Sequence, residues 1–176
     1  MNLFLIGYRG SGKTTVAAAL AGELGWPWID ADAELERRAG KSIKQIFDDG
    51  GEPAFRDLES AVVADLAQRD QYVIALGGGA VLREQNRKAL QGRGCVVWLR
   101  ASPDTLAARI AADATTAERR PNLTGQGGLV EIRELLAVRT PIYEACADVT
   151  IDADGRTPAE IVREIVALLP ADATPE

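Results

Sequence analysis

At 176 residues, with a net charge of −6 and a pI near 4.8, the chain has the length of one domain with a real core, and its acidity argues against nucleic acid as the main partner. No apolar run approaches the ~20 residues that span a bilayer, no basic leader or cleavage site precedes Gly7, and two isolated cysteines suit a cytoplasmic protein better than a disulfide framework. There is no histidine, which excludes histidine catalysis and His-ligated zinc and leaves proton transfer to carboxylates, water or lysine.

Leu3-Phe4-Leu5-Ile6 reads as a short buried strand and Val16 to Leu20 as helix. Between them, Gly7 to Thr14 reads Gly-Tyr-Arg-Gly-Ser-Gly-Lys-Thr, the spacing of a P-loop. A glycine-rich turn before a helix is the plain alternative, but strand, loop and helix in this order favour a phosphate cradle. Backbone N–H groups of such a loop wrap a phosphate at the helix N-terminus, with glycines admitting the close approach. The candidate ATP-binding set is therefore Gly10, Ser11, Gly12, Lys13, Thr14 and Thr15, with Lys13 reaching the β and γ phosphates and Thr14 offering its hydroxyl to Mg²⁺.

Trp26 to Ile29 gives a second extended run that ends in Asp30-Ala31-Asp32, followed by a helical stretch. Carboxylates there suit a ligand at the carboxyl edge of a parallel sheet, and equally suit a helix N-cap. The next strand, Tyr72 to Leu76, ends in Gly77 instead of the Asp of a usual Walker B strand, and that turns Asp30 into the best-placed carboxylate for Mg²⁺. Gly40 breaks the helix, Ser42 and Gln45 have capping-box spacing, and Asp48-Asp49-Gly50-Gly51 reads as a turn. From near Pro53 an amphipathic helix carries Arg56 and Glu59, whose spacing is ordinarily that of a surface ion pair. The region of about 31–60 thus reads as a helical insertion.

Gly77-Gly78-Gly79 closes the third strand, and three glycines in a row favour close backbone approach to a ligand over simple turn chemistry. A polar helix from Arg83 to Leu90 leads to a fourth strand, Cys95 to Leu99, and Ser102-Pro103 opens the next helix. From Asp113 to Gly128 periodicity is lost around Arg119 and Arg120, which reads as a lid carrying an arginine to transferring phosphate, with a passive loop as the alternative. A helix from Leu129 to about Cys146 carries Arg139, with Pro141 just past that arginine. Val149 to Ile151 is a last strand, Ile161 to Leu169 a last helix, and 170–176 a frayed tail. Strand and helix alternate as in an α/β protein with a doubly wound parallel sheet. Of the 20 basic residues 16 are Arg, suited to planar capture of carboxylate and phosphate, although codon bias accounts for most of them.

The order and spacing of residues 7–15, Asp30-Ala31-Asp32, Phe55-Arg56 with Glu59, Gly77 to Gly79, Arg120-Pro121, and Arg139 with Tyr143 resemble shikimate kinase from end to end. Arg-Pro-Asn-Leu-Thr-Gly at 120–125 is similar to the branch of that family with Leu-Thr-Gly in place of Arg-Pro-Leu-Leu. The resemblance implies a P-loop, nucleoside-monophosphate-kinase-like fold, a central parallel sheet flanked by helices, in a single kinase domain over 1–176. It implies ATP-dependent phosphorylation of the 3-hydroxyl of shikimate, giving shikimate 3-phosphate and ADP on the route to chorismate and the aromatic amino acids. By the same resemblance Asp32, Arg56, Gly78 and Arg139 bind shikimate, Thr14 and Asp30 serve Mg²⁺, and Arg120, Arg109 and Arg156 serve the phosphates and adenine. Asp32, Lys13 and Arg120 form the catalytic set. The implied partners are shikimate and ATP, with no nucleic acid or membrane, and a monomer is expected. Two other readings compete: a different small-molecule kinase, such as a gluconate or nucleoside-monophosphate kinase, and a non-enzymatic nucleotide switch.

Overall fold

The computed structural model describes residues 1–113 and 128–170. The expected lid centred on Arg119 and Arg120, and the tail from 171, therefore lie outside the described residues.

Strand β1 (Asn2–Ile6) leads through the glycine-rich loop into α1 (Lys13–Leu24). Then come β2 (Trp28–Asp30), α2 (Ala31–Ala39), the long α3 (Ile43–Leu66), and β3 (Val73–Ala75). A short 3₁₀ turn at Ala80–Leu82 precedes α4 (Glu84–Leu90), β4 (Gly94–Arg100) and α5 (Pro103–Ala112). The chain closes with α6 (Gly128–Cys146), β5 (Val149–Asp152) and α7 (Pro158–Leu168). The five strands pair in the order β2-β3-β1-β4-β5, all parallel.

Strand β1 shows why the sheet forms. Its residues are all buried, and they alternate: Phe4 and Ile6 join one core with Leu35, Phe55, Ile74, Trp98 and Tyr143, while Leu3 and Leu5 join another with Leu20, Val73, Leu99, Ile161 and Ile165. A strand covered by helices on both faces must read as a continuous apolar run, and this one does. Because the chain moves outward from β1 to opposite sides, the carboxyl ends of β1 and β3 border a topological switch point, where open α/β sheets bind ligands. The cysteines sit in this packing as free thiols, and burial pushes Cys95 up to about 11 and raises Cys146 as well, which keeps both in the unreactive thiol form.

One local expectation is corrected. Asp48, Asp49 and Gly50 do not form a turn: α3 runs through them and only Gly51 leaves helical geometry, with φ 69° and ψ −172°. A glycine adopts this conformation without the Cβ clash that any other residue meets, so the helix kinks there and restarts toward Pro53. Pro141 lies inside α6, since the helix continues to Cys146. The capping box at Ser42 and Gln45 is present, and Gly40 ends α2 in the left-handed conformation, as their spacing predicts.

Candidate active site

The loop between β1 and α1 is built as a cradle. Gly12 is the N-cap of α1 at φ 94°, and no side chain caps the helix, so the first N–H groups of α1 point into the loop. The hydroxyl oxygen of Ser11 is buried with no hydrogen-bond partner among the described residues. Lys13 folds back over the loop, its Nζ donating to the carbonyls of Gly7 at 2.8 Å and Tyr8 at 3.0 Å. Arg109 of α5 braces the loop from the other side, donating to the carbonyls of Ser11 at 3.3 Å and Ala153 at 2.9 Å.

Asp30 is the N-cap of α2 and also meets Thr14, the other residue expected to serve Mg²⁺. As N-cap of α2 its Oδ1 accepts from the N–H groups of Asp32 and Ala33, at 2.9 and 3.2 Å. Its other oxygen, Oδ2, accepts from the Thr14 hydroxyl at 2.7 Å. A hydroxyl and a carboxylate so joined are hard oxygen donors of the kind Mg²⁺ takes, with phosphates supplying most of the remaining ligands. Cap and metal partner are therefore compatible, because a carboxylate has two oxygens.

A cleft of about 500 Å³ opens over this loop, lined among others by Lys13, Thr14, Asp30, Asp32, Gly78 and Arg109. Gly10, Gly12 and Thr15 also line it, whereas Ser11 is buried beneath the loop. Arg56 and Arg139 do not line the cleft itself. They meet it from behind, through the glycines after β3. Arg139 donates from Nη1 to the Gly78 carbonyl at 3.4 Å, and the Tyr143 hydroxyl donates to the same oxygen. Burial raises the Tyr143 phenol to about 12, so it remains a donor. The Gly78 carbonyl thus anchors both side chains.

Among the described residues, Arg56 and Arg139 are the arginines that are fully buried, at 7% and 6% exposure. Arg139 lies with Cζ 5.4 Å from the centre of the Tyr8 ring, and its Nε is buried with no hydrogen-bond partner among the described residues. Burial raises the Tyr8 phenol too, with Arg139 opposing, so a neutral ring faces the guanidinium. Arg56 points its Nη1/Nη2 edge at Gly79: a Cβ there would fall 2.5 Å from Nη1 and 2.8 Å from the guanidinium carbon, so only glycine leaves it room. Its Nη1 donates to Glu59 Oε2 at 2.6 Å, while Nε and Nη2 both donate to Glu52 Oε1 at 3.2 Å. Burial disfavours the charged guanidinium, but the two glutamates more than offset it and the pKa is raised. The surface-pair reading of Arg56 and Glu59 is thus overturned, since Glu59 is also buried at 3% exposure.

Arg156 stands apart from the cleft lining, donating to the carbonyls of Asp152 and Glu160 and pairing with Glu164. Arg120 lies outside the described residues. Sequence reasoning missed Tyr8, Glu52 and Trp28. Nothing in the sequence marks Tyr8 beyond its place in the loop, whereas Glu52 stands four residues before Arg56, a spacing that signals contact on a helix. Trp28 opens the edge strand β2 and lines the cleft while 42% exposed.

A family model described as Shikimate kinase matches residues 9–170. A shikimate kinase of Rhodopirellula baltica is 47% identical over 170 residues, covering 97% of this chain and 91% of its own. One from Pseudomonas syringae pv. tomato is 45% identical over 168 residues, covering 96% of this chain and 95% of its own. Among solved structures, a shikimate kinase from Acinetobacter baumannii in complex with shikimate superposes with a TM-score of 0.89 at 36% identity, covering 95% of this chain and 91% of that one.

Proposed function

The chain belongs to the shikimate kinase family, and from that premise we propose that it transfers the γ-phosphoryl group of ATP to the 3-hydroxyl of shikimate, releasing ADP, with the residues converging on the cleft in the following roles. The glycine-rich loop from Gly10 to Gly12 holds the phosphates by its N–H groups, with Ser11, Thr14 and Thr15 adding hydroxyls. Thr14 and Asp30 are the residues that would hold Mg²⁺, which when bound neutralises phosphate charge. Lys13 carries the positive charge nearest the transferring group, and Arg109 holds the loop in place. In the transfer, the O–H bond of the acceptor breaks as its oxygen bonds to phosphorus, and the bond from phosphorus to the bridging oxygen of ADP breaks. Asp32, on the first turn of α2 at the cleft wall, orients that hydroxyl and accepts its proton. Arg56 and Arg139 supply the clamp for the acceptor's carboxylate beside Gly78. Arg120 and Arg156 complete the phosphate and adenine contacts on the resemblance alone.

The observation that carries this reading is the burial of Arg56 and Arg139. A buried guanidinium is costly unless paired, and both of these lie at the carboxyl end of β3, next to a phosphate loop, one of them with an N–H that has no partner among the described residues. A kinase for a neutral acceptor has no use for them.

We further propose that residues 1–176 work as one kinase domain and as a monomer in the cytoplasm, binding neither nucleic acid nor membrane. The low pI supports this, and among the described residues no helix is long and apolar enough to cross a membrane.

A coupled assay of ADP release with and without shikimate tests the activity, and gluconate and nucleoside monophosphates serve as competing acceptors. ADP release that does not depend on shikimate would overturn it. Lys13→Ala is expected to abolish transfer with the melting curve retained, because its charge acts on the transition state. Asp32→Asn is expected to lower kcat by about 100-fold or more with a smaller change in ATP binding. Near-normal kcat would leave Asp32 with no part in proton transfer.

A further inference from the structure

We propose that Glu52 is a specificity-determining latch: its carboxylate holds the place on Arg56 that an acceptor carboxylate needs, and docking of the acceptor requires Glu52 to leave. The inference rests on the Arg56 clamp proposed above. A guanidinium offers a carboxylate two seats with parallel hydrogen bonds, the side-on Nε/Nη2 edge and the end-on Nη1/Nη2 edge. On Arg56 the side-on edge carries Glu52, both bonds at 3.2 Å to one oxygen, and the end-on edge has Nη1 committed to Glu59 at 2.6 Å. That end-on edge also points at Gly79, where a Cβ would fall 2.5 Å from Nη1, and the Phe55 ring centre stands 5.2 Å from Cζ, so both edges are taken.

Its two glutamates differ in what leaving costs. The Glu59 side chain is 4% exposed, and releasing it would strand a buried carboxylate. The Glu52 side chain is 55% exposed and can turn into water by rotation of its own side chain. The backbone favours that exchange being local. Glu52 stands between the kink at Gly51 and Pro53, so its Cα is held while its carboxylate is not. Two bonds to one oxygen at 3.2 Å are longer than a bidentate carboxylate pair. An acceptor with its own carboxylate therefore replaces a weak partner with a better one. An uncharged acceptor has nothing to exchange, and the latch stays shut against it.

Calorimetric titration of the protein with shikimate, without nucleotide, tests this. Glu52→Ala and Glu52→Gln are each expected to tighten shikimate binding by about three- to tenfold, the competing charge-assisted contact being gone, with ATP affinity unchanged within about twofold. A gain in affinity is a readout that damage to the fold would not produce. Unchanged or weaker binding in either variant overturns the latch. Arg56→Lys separates this from the underlying reading. If it binds shikimate as the wild type does, the clamp itself is wrong and the latch falls with it. If it binds weakly while the Glu52 variants bind no better than wild type, the clamp stands and the latch alone is refuted.

Discussion

Two arginine–glutamate pairs with the same three-residue spacing lie on the helices after β2, and they have opposite fates. In α2, Arg37 donates from Nε to Glu34 Oε2 at 2.7 Å, with the arginine side chain 71% exposed. In α3, Arg56 donates to Glu59 at 2.6 Å with its side chain 8% exposed. The contact distances are nearly the same, although Arg37 holds Glu34 by two parallel bonds and Arg56 reaches Glu59 by one, so spacing determines only that the residues touch. The third partner determines what the pair is for. Glu34 is itself buried at 7% exposure, but under its own arginines: Arg37 faces water, and Arg38 also pairs with Asp65. Arg56 is covered by Gly79, Phe55 and the end of β3, which bring it beside the cleft.

The largest difference is expected in stability. Glu59→Ala leaves Arg56 buried with only Glu52 on one edge, a loss of about 3 kcal/mol, the low end for a broken buried pair because Glu52 compensates in part. Glu34→Ala leaves Arg37 to turn to solvent and Arg38 still paired with Asp65, a loss of about 1 kcal/mol or less. Urea denaturation of the two variants measures both. Equal losses would erase the distinction between the pairs.

Kinetics should divide the pairs next. Arg56→Lys keeps the charge but loses the planar fork, and so does Arg139→Lys; each is expected to raise the KM for shikimate by about 10- to 100-fold and to leave the KM for ATP nearly unchanged. Arg37→Lys should leave both constants within about twofold, as a surface change does. An Arg37→Lys variant as impaired as Arg56→Lys would show that the spacing, and not the surroundings, carries the function.

That contrast also marks what the sequence could reveal. The phosphate half of the cleft is local: Gly7 to Thr14 form it from one continuous stretch, and the flanking strand and helix are the apolar runs on either side. Asp30 was legible as cap or as Mg²⁺ partner, and a single carboxylate does the one while fitted for the other. The proposed acceptor half is not local. Arg56 and Arg139 come from helices 83 positions apart, counting from their numbers, and only the fold brings both to the glycines after β3. Their burial depends on neighbours that periodicity does not name, such as the missing Cβ of Gly79 and the face of Tyr8. The turn expected at Asp48 to Gly51 failed for a related reason. Acidic residues and glycines mark a turn only statistically, and here α3 continues to Gly50 before Gly51 takes the whole change of direction.

The smallest expected effect is a pH dependence that belongs to the exposed pair. Hydrogen bonds from Arg37, and then from Arg38, hold the Glu34 carboxyl at about 2, against an ordinary value of 4.5. A carboxyl whose folded pKa is depressed contributes its stability above the unfolded value and loses it as pH falls through the folded one. The Glu34 contribution is therefore complete above pH 4.5 and fades between there and about pH 2. Exposure of Arg37 screens the pair, so the effect is modest and shrinks further in salt. Glu34→Gln removes the titrating group, and its Tm should fall less steeply with acid than that of the wild type over that window, while shikimate kinetics at neutral pH stay unchanged. Parallel acid profiles for the two proteins would mean that the Arg37 and Arg38 contacts to Glu34 contribute nothing in solution, and the exposed pair would then be an accident of spacing.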